Sequence, residues 1–250
     1  MADGVPSVFV KQDAAAPPGL FESEARGLRW LATAGGVRVA EVLAVDATSL
    51  TLERLTPTRP TPAAADRFGA DLARTHAAGA PVWGHTEGDG FIGPLPLPHG
   101  PYRSWADLWW SGRIEPFLRR AVDRGTVSSL DARRVEEVSV RRAAAVPAGE
   151  PARVHGDLWS GNVVWTQQGA VLVDAGAAHG GHAEADLAML ALFGLPYLDR
   201  VLAAYGECSP LLDGWRDRVP LMQLHPILVH VVLFGGAYVG ALTKAVDALA

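Results

Sequence analysis

Cysteine and lysine are scarce in this sequence, and each scarcity excludes something. Among 250 residues there is one cysteine, Cys208, so no disulfide forms within the chain and a cysteine-built zinc site lacks its ligands. Lysine occurs twice, at Lys11 and Lys244, while the remaining Lys and Arg residues of a total of 22 are arginines. Basic surface is therefore built from arginine, and a lysine at a particular place asks for a reason. Positive charge in excess is also missing. The net charge is −5 and the pI about 5.9, which removes the electrostatic footprint of a nucleic-acid binder. The start, Met1 to Val10, has neither the basic region nor the apolar run of a secretory signal, and reads as cytoplasmic.

Long apolar runs are short as well. Ile227 to Leu242 carries no Asp, Glu, Lys or Arg, but a membrane span needs about 20 predominantly apolar residues. Gly235, Gly236 and Gly240 weaken it further as an isolated helix. The run reads as a buried core helix, with Gly236-x-x-x-Gly240 marking close helix packing, and no membrane partner is expected. What remains is a soluble globular balance, 49% hydrophobic and 20% charged, with material for one large domain or two small ones.

Periodicity divides the chain into a small β-rich lobe and a larger helical one. Asp3-Gly4 is a hairpin-turn dipeptide, and the run Val5 to Val10 after it reads as a strand reaching Lys11. Phe21, Ala25, Leu28 and Leu31 share one face of a helix that Gly35-Gly36 ends. Val39 to Val45 and Leu50 to Leu55 read as strands. Residues 56–62 hold three prolines and read as a hinge, giving lobes of residues 1–55 and 56–250. Helices are expected over Ala63 to Ala78, Ser104 to Arg124, Asp131 to Ala145, Glu184 to Phe193, Leu198 to Tyr205 and Val219 to Leu249. Residues 79–101, rich in Gly, Pro and His, read as a long ordered loop.

The chemistry sits between His155 and Asp174. His155-Gly156-Asp157 is followed by Asn162 and then by two strands, Val163 to Trp165 and Ala170 to Val173, that end at Asp174. Asp-x₄-Asn leading through a hairpin to a second Asp is the layout of a protein-kinase-like phosphotransferase site. Phosphoryl transfer needs in-line positioning, charge neutralisation and a carboxylate at the attacking hydroxyl. Asp157 suits that last role as base or hydroxyl-orienting group. Asn162 and Asp174 supply hard oxygen donors for Mg²⁺. The same template asks for a strand lysine on the ATP phosphates, held by a helix glutamate. Lys11 and Glu24 fit, with Glu22 as a competitor. Main-chain groups of Glu53, Arg54 and Leu55, before the hinge, would meet adenine. His155 reads as a packed loop residue, and Asp186 as a brace for the catalytic loop. A transition-metal cluster of His179, His182, Glu184 and Asp186 is not favoured, because Gly180-Gly181 gives no rigid ligand geometry.

The segment His155-Gly-Asp-Leu-Trp-Ser-Gly-Asn162 resembles the signature of the fructosamine-3-kinase (ketosamine-3-kinase) family, a branch of the aminoglycoside- and choline-kinase-like phosphotransferases. Phe9-Val10-Lys11, Phe21-x-x-Glu24-Ala25-x-Gly27-Leu28, Leu72-Ala73-x-x-His76, Gly90-Phe91-Ile92-Gly93, Glu184-x-Asp186-Leu187-Ala188-Met189 and Leu233-Phe234-Gly235-Gly236 are similar to other stretches of that family. The resemblance implies an α+β, two-lobed, protein-kinase-like fold and ATP-dependent phosphorylation of the 3-hydroxyl of ketosamines such as fructosamines or ribulosamines. Elimination of the 3-phosphate would then reverse glycation. Trp159 becomes a candidate for the sugar-amine, since an aromatic face beside a carboxylate suits a cationic polyol; packing within the loop is its other reading.

The sequence departs from the family in three places. The family carries two strands and a Gly-rich loop before its strand lysine, whereas Asp3-Gly4 stands at the turn into that strand; either the natural start lies upstream or nucleotide binding is impaired. Ala175-Gly176 replaces the usual Pro-Ala, and Ala183 stands where many relatives carry Arg. Two other readings follow: a kinase of another small hydroxyl compound, aminoglycoside or choline-like, and a non-catalytic binding module. Trp159-Ser160-Gly161 favours the ketosamine over the first of these.

Overall fold

Residues 7–85, 87–147 and 149–250 are described by the computed structural model of the chain. The expected Asp3-Gly4 turn lies outside them. Strand β1 (Val8–Gln12) pairs antiparallel with β4 (Ser49–Glu53), and β4 pairs antiparallel with β3 (Val42–Asp46). The β3–β4 turn is built by Asp46, whose carboxylate accepts bonds from the Thr48 amide (2.8 Å) and the Ser49 hydroxyl (2.8 Å). Helix α1 (Leu20–Ala32) lies against this sheet and buries Phe21, Ala25, Leu28 and Leu31, the face its spacing announces.

The stretch expected as one strand, Val39 to Val45, is two. β2 (Arg38–Val39) leaves the first sheet and runs parallel to β9 (Gly169–Leu172), which pairs antiparallel with β8 (Val163–Thr166). The Ala40 amide continues this pairing with a bond to the Leu172 carbonyl at 2.9 Å. A strand from the start of the chain thus extends the hairpin that lies between Asn162 and Asp174. Both hairpins are thereby fixed to one frame.

Helix α2 (Pro62–Ala77) opens with Thr61 as N-cap, its hydroxyl accepting from the Ala64 amide, and with Pro62 in the first turn. Its inner face, Phe68, Leu72, Thr75 and His76, is buried. The region 79–101 is not merely a loop. It contains the hairpin β5 (Gly90–Ile92) and β6 (Leu95–Leu97). Next come α3 (Trp105–Asp107), a π-helical turn (Leu108–Ile114), α4 (Glu115–Asp123) and α5 (Ser129–Ala144). β7 (Ala152–Val154) pairs with β10 (His179–Gly181), bracketing the catalytic segment. α6 (Ala183–Phe193) and α7 (Leu198–Cys208) follow.

The final apolar region is α8 (Trp215–Phe234), a 3-10 turn (Gly235–Tyr238) and α9 (Val239–Leu249). Residues 215–249 form a stretch long and apolar enough to cross a membrane, and α8 buries Leu221, Leu224, Leu228 and Val231 in the protein core. The expected close packing at Gly236 and Gly240 is absent. A Cβ at either would meet no atom within 4 Å. The helix is interrupted at Gly235, with φ +73°, and Gly236 lies in the 3-10 turn that follows, while Gly240 sits within α9.

Candidate active site

The two hairpins and α1 bring the predicted residues to one cleft. Lys11 leaves β1 opposite Leu50. Its Nζ donates to Glu24 Oε1 at 2.8 Å and also to Asp174 Oδ1. Of the two candidate glutamates, Glu24 is buried and reaches the lysine, while Glu22 is exposed. Burial works against the Lys11 charge, but Glu24 and Asp174 outweigh it and hold its pKa above the usual lysine value. Burial pushes the Glu24 carboxyl up, against the pull of the lysine. Asp174 has φ +57°, a left-handed conformation that aspartate tolerates better than most residues. That turn swings its carboxylate off the end of β9 toward Lys11.

Asp157 and Asn162 form the other wall. The Asn162 Nδ2 donates to the Asp157 carbonyl (2.8 Å) and to Asp157 Oδ2 (3.2 Å). This assignment of the amide leaves Asn162 Oδ1 outside both bonds. Burial raises the Asp157 pKa above the ordinary carboxylate value, in the direction that suits a proton acceptor working near neutrality.

The loop carrying Asp157 is anchored from behind. Asp186 accepts the amides of His155 (2.8 Å) and Gly156 (3.0 Å). His76 Nε2 donates to Asp186 Oδ2 at 3.1 Å, and its Nδ1 accepts from the Tyr205 hydroxyl at 2.9 Å. Burial opposes the Asp186 charge, yet the hydrogen bonds it accepts from the His76 ring and the His155 amide help to keep its pKa below the usual value. His155 is locked as well: Nε2 donates to the Val173 carbonyl (2.8 Å), and Nδ1 accepts from the Asp157 amide (3.3 Å). Gly156, at φ +81°, packs so closely on Ala177 that a Cβ would overlap its carbonyl.

Three adjoining cavities meet at these residues. One is lined by Phe9, Leu52, Leu55, Val164 and Val173, with Lys11 and Asp174 at its inner end. It is an apolar slot open to a polar floor, the shape that takes a flat heterocycle. Of the main-chain groups expected to meet adenine, two N–H groups are already engaged. Glu53 and Arg54 line the slot, but the Glu53 amide already donates to the Glu41 carbonyl (3.0 Å) and the Arg54 amide to the Ser7 carbonyl (3.2 Å). Neither N–H is therefore free to meet a ligand. The second cavity holds Lys11, Glu24, Asp157, Asn162 and Asp174 together. The third runs from Asp157 and Trp159 to His230 and Tyr238.

The whole chain, residues 1–250, matches the family model described as Fructosamine kinase. It is 37% identical over 237 residues to a Thermus thermophilus protein described as a probable ketoamine kinase, covering 93% of this chain and 83% of that one. This chain belongs to the fructosamine kinase family. Among solved structures it is similar to a Thermobifida fusca protein described as a fructosamine-3-kinase, with 52% identity, a TM-score of 0.93, and 99% of this chain and 86% of that chain covered. An aminoglycoside phosphotransferase solved as a ternary complex with ADP and hygromycin B shares the fold, at 19% identity and a TM-score of 0.61, over 96% of this chain and 85% of that one. The fructosamine kinase assignment makes the chain a phosphotransferase that uses ATP and acts on a hydroxyl group, and its fold the α+β two-lobed kinase-like one.

In this member of the fructosamine kinase family, Ala175-Gly176 is accommodated by its neighbours. The Gly176 carbonyl accepts from the Phe91 amide at 3.0 Å, tying the Asp174 loop to β5. The residues of the disfavoured metal cluster go separate ways: His179 bonds the Ala177 carbonyl, Glu184 takes Arg218 at 2.8 Å, and Asp186 holds the catalytic loop. Among the described residues no group of three or more His, Cys, Asp or Glu could hold a metal ion. A pair such as Asn162 and Asp174 falls outside that description. Two contributors escaped the sequence reading as site residues. His76 enters there only within the family-like stretch Leu72-Ala73-x-x-His76, with no role assigned to it. His230 is separated from Trp159 by 71 residues, and no local pattern joins them.

Proposed function

We propose that this fructosamine kinase transfers the γ-phosphoryl group of ATP to the 3-hydroxyl of a ketosamine, and that elimination of the resulting 3-phosphate reverses glycation of the amine. The observation that carries the reading is the meeting of Lys11, Glu24, Asp157, Asn162 and Asp174 in one cavity. Residues 1–55 would hold the nucleotide and residues 56–250 the acceptor. The Phe9–Val173 slot suits adenine. Lys11, steadied by Glu24, would turn from Asp174 to the α- and β-phosphates.

Asn162 Oδ1 and the Asp174 carboxylate are hard oxygen donors lining the same cavity, a donor set that would fit Mg²⁺. The metal would neutralise charge on the transferring phosphoryl group. Asp157 faces the acceptor side. It would accept a hydrogen bond from the substrate hydroxyl, align its oxygen with phosphorus, and take the proton as the new P–O bond forms and ADP departs. The Asn162 amide keeps the Asp157 carboxylate turned to that position.

The test is incubation with Mg-ATP and a fructosamine or ribulosamine, following ADP release and the phosphorylated sugar by ³¹P NMR. Turnover that falls about 10²- to 10⁴-fold in Asp157→Ala, with the fold retained, is the expected result. Absence of turnover with every ketosamine, alongside turnover of an aminoglycoside or choline, would replace the reading.

A further inference from the structure

The third cavity has a composition of its own. Five rings follow one another along it. Trp159 meets Phe193 edge-on at 6.0 Å between centroids, and Phe193 lies 4.8 Å from His230. His230 in turn is 5.4 Å from Phe234 and 4.8 Å from Tyr238. The rings come from the catalytic loop, the end of α6, the last turns of α8 and the 3-10 turn after it. Their faces are not spent on one another. Phe234 is 60% exposed and Trp159 39% exposed, unusual values for large apolar side chains beside a catalytic carboxylate.

Charge in this trough is one-sided. Among the described residues that line it, Asp157 is the single carboxylate and none is Lys or Arg. His230 Nδ1 donates to the Pro226 carbonyl at 2.7 Å, so Nε2 is the ring nitrogen left outside that bond. The helix break at Gly235 explains how the rings can remain open. Gly235 and Gly236 have nothing within 4 Å of a would-be Cβ, so this side of the turn is open, while Tyr238 and Val239 pack on the helical core.

We propose that this trough receives the amine side of the ketosamine, and that it selects amines bearing an apolar or aromatic, carboxylate-free substituent. The inference rests on the ketosamine reading above. With the sugar hydroxyl at Asp157, the carbon chain of the substrate leads along the rings. A secondary ammonium is drawn to ring faces and to Asp157. An apolar substituent fills the space between Phe193 and Phe234. A carboxylate on that substituent would enter a site with no Lys or Arg among its described lining residues, losing its water while facing Asp157.

Three 1-amino-1-deoxyfructose substrates separate these contributions: those of phenylalanine amide, alanine amide and free phenylalanine. The expected order of kcat/KM places phenylalanine amide at least about tenfold above each of the other two. Phe193→Ala and Phe234→Ala should remove the preference for the phenyl group by raising KM, with kcat and the KM for ATP nearly unchanged. Equal kcat/KM for the three substrates, or a phenyl preference untouched by both variants, would overturn the assignment and leave the ketosamine reading in place. Failure to phosphorylate any of the three, or any other ketosamine, would overturn both.

Discussion

A single missing methyl group sets how closely helix α1 meets the loop carrying Asp174, on the side proposed for the nucleotide. Gly27 lies on the inner face of α1, one turn after Glu24, and a Cβ there would overlap the Ala175 carbonyl oxygen. The close approach presses the helix onto the loop that carries Asp174, so Glu24 and Asp174 reach the same lysine. Gly27→Ala gains roughly 0.5–1 kcal/mol of helix propensity. It must also move either α1 or a backbone carbonyl, an overpacking cost of about 1–3 kcal/mol. The second effect wins, because backbone yields less readily than a side-chain tip. The expected outcome is a net loss of stability in urea denaturation and a raised KM for ATP, since Glu24 is carried away from Lys11. A variant as stable as the parent with unchanged KM would show that the contact is not a constraint.

At the scale of elements, periodic segments were the legible ones. The apolar face of α1 and the inward face of α2 follow from spacing alone, and the hairpin from Val163 to Leu172 follows from two β-rich runs around a turn. Lys11, Glu24, Asp157, Asn162 and Asp174 were legible because each stands at a fixed offset from such an element. What escaped is short or long-range. β5 and β6 have three residues each, and Pro96 sits inside one, so no alternation can develop. Nor does anything local announce that Arg38–Val39 abandons its neighbours for a strand more than a hundred residues away. The π-helical turn is equally silent, yet it places Arg113 in the interior, where burial lowers the guanidinium pKa to about 9. Arg113 donates to the Pro98 carbonyl at 2.6 Å and to His99 Nδ1 at 3.2 Å, and so holds the segment after the β5–β6 hairpin. Arg113→Met strands those acceptors in a dry site at a cost of about 1–3 kcal/mol. Arg113→Lys should recover only part of it, because an ammonium cannot reproduce the planar fork. Equilibrium denaturation of the two variants checks both statements.

For the whole molecule, the two hydrophobic cores and the histidines between them determine how the fold responds to acid. One core gathers the sheet, α1, α2 and the catalytic hairpin around Phe68, Leu172 and Tyr205; the other gathers α4, α5, α8 and α9 around Trp109, Phe117 and Leu228. His99, His179 and His225 are buried, and His99 stacks on His179 with centroids 5.3 Å apart. Burial holds all three below the usual histidine range, at about 3 for His225, and the neighbouring Arg113 charge adds to the effect. The unfolded chain therefore takes up protons as pH falls through about 6.5, while these folded histidines do not. More protons on the unfolded state means stability that rises with pH and is lost on acidification. Each histidine contributes a slope of up to about 1.4 kcal/mol per pH unit, so the three together approach about 4 kcal/mol per unit once well below 6.5. Against a total of roughly 5–15 kcal/mol, two to three units of acidification consume most of the margin. Urea midpoints should be level between pH 8 and 7 and fall steeply between pH 6 and 4.5. The slope should be about one-third shallower in His225→Met, whose side chain does not titrate. A midpoint that stays level down to pH 4.5 would mean that these histidines find protons inside the fold, and that the interior is wetter than its packing shows.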